Sequence, residues 1–99
     1  MSSRLKTVDF EVFGRVQKVF FRKCTQEQGK KLGLRGWCQN TPKGTVIGTI
    51  QGPPDKIEEM KKWLKEVGSP ASSIEKVEFK NQNDIADYTH TEFEIIRKK

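Results

Sequence analysis

A chain of 99 residues suits one small domain spanning 1–99 and leaves no room for a second core. Its 19 Lys and Arg against 13 Asp and Glu give a formal charge of +6, which favours anionic partners such as phosphate compounds, nucleic acid or acidic headgroups. No apolar run approaches the roughly 20 residues that span a bilayer, and the polar start "MSSRLKTVDF" lacks the apolar stretch of a secretory signal, so the expectation is a soluble cytoplasmic protein with no membrane partner.

Two cysteines, Cys24 and Cys38, make no disulfide framework, and a single histidine completes no zinc pattern with them. Both read as reduced structural residues. The first element is "LKTVDFEVF", where Val8, Phe10 and Val12 alternate with Thr7, Asp9 and Glu11, the period of a strand with one buried face. It is expected to stop at Gly14. A helix follows over Phe21 to Leu32, with Phe21, Cys24 and Leu32 on its apolar face, Thr25 and Gln28 interrupting that face, Gly29 weakening it and Gly33 ending it.

"LRGWCQN" and "TVIGTI" read as two strands joined by the turn "TPKG". Pro53, Pro54 and Asp55 then open a second helix, with Ile57, Met60, Leu64 and Val67 on one stripe, Trp63 widening it, and Glu58 placed to pair with Lys62. Gly68, Ser69 and Pro70 end it. "IEKVEFK" alternates again, "NQNDIADYTHTE" is polar and reads as a loop with His90 in solvent, and "FEII" reads as a short last strand. The order is α+β, a ferredoxin-like split βαββαβ sandwich: an antiparallel sheet, two helices on one face and an extra C-terminal strand. That fold hosts many activities and does not choose among them.

The stretch "FGRVQKVFFRK" falls between strand one and helix one. Free N–H groups at a helix start and the positive end of its dipole make that position favourable for phosphate or carboxylate. Arg22 sits in the first turn, where the dipole disfavours a cation, so its placement asks for a reason other than helix stability. A guanidinium can grip two oxygens of one phosphoryl group. Two readings remain open on these residues alone: an ordinary charged surface carrying Arg15, Lys18, Arg22 and Lys23, or an anion cradle anchored by Val16, Val19 and Phe20. Asn40, beside Thr41 and Pro42, reads on position alone as a turn residue.

"GRVQKVFFR" (Gly14 to Arg22) and "GWCQNTPKGTVIGTIQG" (Gly36 to Gly52) resemble the two signatures of the acylphosphatases, of the small common and muscle types. The likeness extends through "VDFEVFG", "KKLGLRGW", "WL" and "VGSP", and so covers nearly the whole chain. It implies hydrolysis of the carboxyl–phosphate bond of small acyl phosphates to a carboxylate and inorganic phosphate, with neither metal nor organic cofactor required; separately, nothing in the sequence demands more than a monomer, and no nucleic-acid partner is expected. It also implies that Arg22 and the main chain of Gly14, Arg15, Val16, Gln17, Lys18, Val19 and Phe20 hold the phosphate. Asn40 would position the attacking water, with Thr41 in support.

One residue departs from the pattern: the family has glycine where this chain has Lys18, and a Cβ there costs strain if the loop needs positive φ. The alternative function is a non-catalytic ferredoxin-like module that binds anions or RNA through a loop altered by Lys18. RNA-recognition motifs share the topology but stack bases on aromatic residues of the central strands, whereas "GTVIGTI" has none and the open face of strand one carries Asp9 and Glu11.

Overall fold

The computed structural model describes residues 5–17, 20–68 and 72–96. Its elements are β1 (Leu5–Arg15), α1 (Phe21–Lys31), β2 (Arg35–Asn40), β3 (Val46–Gly52), α2 (Pro54–Glu66), β4 (Ser73–Ile85) and β5 (Phe93–Ile96). The strands form one sheet in the order β4-β1-β3-β2-β5. Neighbours run antiparallel except β5, which lies parallel to β2. The expected ferredoxin-like arrangement is therefore present, on a mixed sheet.

Alternation in β1 does what its period demands. Val8, Phe10 and Val12 point into the core and are almost fully buried, together with Val46 and Ile50 of β3 and Ile57, Met60 and Leu64 of α2. The helices divide the inner face between them: α1 packs on β2 and β5, and α2 on β4, β1 and β3. On the open face the carboxylates of β1 are engaged, Asp9 by the Thr49 hydroxyl at 2.6 Å and the Asn81 amide at 2.9 Å, and Glu11 by the Thr45 hydroxyl at 2.7 Å.

Several expectations are corrected. β1 continues through Gly14 to Arg15, because β4 pairs with it there across a register shift. A Cβ on Gly14, whose φ is +124°, would sit 2.2 Å from the Ser73 carbonyl oxygen, so glycine is needed to let β4 pass. The buried stripe of α1 is Phe21, Thr25 and Gly29, rather than one interrupted at Thr25 and weakened at Gly29. The ring of Phe93 explains Gly29: it occupies the space a Cβ would fill, 2.6 Å from that position.

In α2, Val67 is the C-cap and largely exposed, and Glu58 pairs with Lys61 at 3.3 Å rather than with Lys62. The polar run from Asn81 to Ile85 is not loop but the second half of β4. It pairs with Leu5 to Thr7 beyond a shift where Asn81 takes φ +55°. Polar side chains suit that segment because β4 is an edge strand with little to bury. His90 is half-buried instead of standing in solvent.

Candidate active site

A pocket of about 320 Å³ opens at the N-terminus of α1, lined by Val16, Phe20, Phe21, Arg22, Lys23, Asn40 and Ile95. It brings together three places distant in the chain: the end of the β1–α1 connection, the last residue of β2, and β5. Ile95 arrives because the parallel register of β5 sets it beside Cys38.

The helix start is unneutralised. The first intrahelical bond runs from the Cys24 N–H to the Phe20 carbonyl at 3.0 Å, so the N–H groups of Phe21, Arg22 and Lys23 have no partner within the helix. Phe20 gives no side-chain cap, and the first turn holds no acidic residue but two cations, Arg22 and Lys23. A helix end of this kind offers N–H donors and positive potential to an anion.

Asn40 closes the other side. Its Oδ1 is buried and meets no donor among the described residues. A buried amide oxygen without a partner costs about 1–3 kcal/mol, which a water or ligand donor would offset. Two residues earlier, the Cys38 thiol reaches the Arg22 carbonyl oxygen at 3.7 Å and ties the first turn of α1 to β2. Burial pushes that thiol from 9.0 up to about 12, a shift the Arg22 charge only partly opposes. It stays protonated at neutral pH and is no nucleophile.

The loop before α1 is fastened to the β2–β3 turn. Gln17 donates both amide hydrogens, to the carbonyls of Thr41 and Thr45, each at 2.9 Å. The Thr45 hydroxyl spends its proton on Glu11, so at the 2.7 Å contact between the two threonine hydroxyls Thr41 is the donor. Thr41 Oγ1 in turn accepts the Thr45 N–H at 3.2 Å. The chain Thr41, Thr45, Glu11 thus locks the turn that follows Asn40 onto β1.

A family model described as acylphosphatase matches residues 8–95. The chain belongs to the acylphosphatase family. It is 52% identical over 93 residues to acylphosphatase-1 of Mus musculus, covering 94% of each chain. Against acylphosphatase-2 of Homo sapiens it is 50% identical over 91 residues, covering 92% of each. The structure of an acylphosphatase from Coxiella burnetii superposes with a TM-score of 0.82 at 28% identity, covering 94% of both chains. As an acylphosphatase the chain is a hydrolase, and among its described residues no helix is long and apolar enough to cross a membrane.

Of the residues expected at this acylphosphatase site, Arg22, Asn40, Val16 and Phe20 share the pocket wall. Gly14 and Arg15 lie in β1, paired with β4. The Gln17 side chain is committed to the turn carbonyls, and Thr41 supports that turn. Lys18 and Val19 lie outside the described residues. Lys23, Ile95 and the tether from Cys38 were not foreseen. Lys23 could have been found from its place in the first turn, but nothing in "FEII" signals that Ile95 reaches the pocket.

Proposed function

We propose that this acylphosphatase cleaves R–CO–OPO₃²⁻ by direct attack of water at phosphorus, with Arg22 gripping the phosphoryl oxygens and Asn40 aiming the water. The observation that carries the reading is that Arg22 and the buried Oδ1 of Asn40, which meets no donor among the described residues, border one pocket at a helix start without a side-chain cap.

The chemistry asks for little more. As the new P–O bond forms, the bond from phosphorus to the carboxylate oxygen breaks, and that oxygen leaves with the electron pair. Water supplies one OH and one proton, so the products are a carboxylate and dihydrogen phosphate. The leaving group has a conjugate acid of pKa about 4 and needs no proton at neutral pH, which removes the need for a general acid. What remains is to hold the group and stabilise charge on its equatorial oxygens.

Arg22 supplies a planar double donor for two of those oxygens, and the free N–H groups of the first turn, with the loop amides up to Phe20, supply more. Asn40 accepts a water proton through Oδ1 and so turns a lone pair of the water toward phosphorus without removing its proton. Lys23 adds long-range attraction for the dianion. Small acyl phosphates are the substrates of this reading and inorganic phosphate is a product ligand.

Hydrolysis of benzoyl phosphate in metal-free buffer tests it. The wild type should turn over, and Arg22→Gln should raise KM about tenfold or more, as expected for loss of a charge-assisted pair. A KM unmoved by Arg22→Gln would remove the arginine from phosphate binding.

A further inference from the structure

The turn after Asn40 lies beyond the reach of the sheet ladder. β3 pairs with β1 only as far as Val46, opposite Val12, and Val46 is also the partner of Asn40 in β2. Inside the turn, the Thr41 carbonyl accepts the Gly44 N–H at 3.1 Å and the Thr45 carbonyl accepts the Thr41 N–H at 2.9 Å. A carbonyl oxygen has two lone pairs, so each of these keeps one for a donor from outside the turn.

The side chain of Gln17 supplies both donors. Its Nε2 lies 2.9 Å from each oxygen, across sequence separations of 24 and 28, and two acceptors facing one nitrogen fix that end of the amide as the NH₂. Both hydrogens are thereby committed to the turn, and the side chain has none left for a phosphoryl oxygen. Val16, its neighbour in the chain, is buried in the core and lines the pocket, so the amide is hung from a segment that packing already holds. At the other end of the bonds, Thr41 adjoins Asn40, whose buried Oδ1 meets no donor among the described residues.

The hydrolytic reading gives these two segments different work. Arg22 and the helix start hold the phosphoryl group, Asn40 aims the water, and in-line attack sets the distance and angle between the two. A displacement of about 1 Å can cost on the order of a hundredfold in rate. We infer that Gln17 is a positioning residue for this reaction: its amide sets the turn that carries Asn40 against the segment that enters α1, and so fixes the aim of the water. This inference rests on the hydrolytic reading above and adds a residue to that same site.

The test is a double-mutant cycle on kcat for benzoyl phosphate, with Gln17→Met and Gln17→Glu each made in the wild type and in Asn40→Ala. Methionine keeps the reach of the side chain without its donors, and glutamate keeps its shape but turns a carboxylate toward two carbonyls. In the wild type each change should lower kcat about tenfold or more, while the Ki for inorganic phosphate, which needs no aimed water, stays within about threefold. In Asn40→Ala no aim is left to spoil, and the further loss should be less than about twofold. A residue that merely held the fold together would lower kcat by the same factor in both backgrounds, and that result would overturn the inference. So would a kcat that neither substitution changes in the wild type. Urea denaturation reports any stability cost separately, and two variants of different chemistry keep the comparison available if one folds poorly. A wild type that does not turn over benzoyl phosphate would instead overturn the hydrolytic reading.

Discussion

The Cys38 thiol lies 3.7 Å from the Arg22 carbonyl oxygen, so a buried side chain of β2 holds the first turn of α1 at a fixed distance from Asn40. The folded chain keeps that thiol proton to about 12, against 9.0 for an ordinary cysteine. Between those values the native state binds the extra proton, and stability falls as pH rises through the window, by up to about 1.4 kcal/mol per pH unit. Below 9.0 the contribution is complete. Urea denaturation of the wild type and Cys38→Ala at a series of pH values from neutrality to 11 checks this. The wild type should lose stability more steeply above 9, whatever the offset between the two proteins at neutral pH, and parallel slopes would contradict it.

Thr45 joins the turn after Asn40 to β1 through Glu11. Thr45→Val deprives the Glu11 carboxylate of its donor and the Thr41 hydroxyl of its acceptor, with little change of shape. The expected loss is about 1–3 kcal/mol in urea denaturation, accompanied by a lower kcat because the turn follows directly from Asn40.

Two residues of α1 pull stability in opposite directions. Thr25 is fully buried and its hydroxyl has no partner among the described residues. Thr25→Val should therefore stabilise the fold by about 1 kcal/mol. Gly29→Ala improves helix propensity by about 1 kcal/mol, but its new Cβ would meet the buried Phe93 ring at 2.6 Å. Overpacking costs typically 1–3 kcal/mol, so the clash should win and the midpoint of unfolding should fall. A stabilised Gly29→Ala would mean that Phe93 moves aside at little cost.

Lys18 stands where the family pattern has glycine. Lys18→Gly should change kcat for benzoyl phosphate more than it changes inhibition by phosphate. An inert wild type beside an active glycine variant would show that the lysine disables the chain.

The fold was legible where periodicity is strict. Val8, Phe10 and Val12, and Ile57, Met60 and Leu64, are read from spacing alone and are buried as expected. It was not legible where tertiary contacts override composition. Gly29 is explained by Phe93, which lies far along the chain, and the polar second half of β4 is held by backbone pairing to β1 rather than by an apolar face. For the site, the two motifs point to Arg22 and Asn40 before any coordinates are considered. The bond from Cys38 to the Arg22 carbonyl and the arrival of Ile95 depend on strand register, which no local pattern encodes.

The division of labour between Arg22 and Asn40 is tested most directly by Asn40→Ala, through kcat on benzoyl phosphate together with the Ki for inorganic phosphate. If Asn40 aims the water as proposed, its loss should lower kcat by about 10²–10³, the range for removing one positioned polar group, while Ki stays within about twofold. A kcat near that of the wild type would contradict the role of Asn40 and, with it, the mechanism.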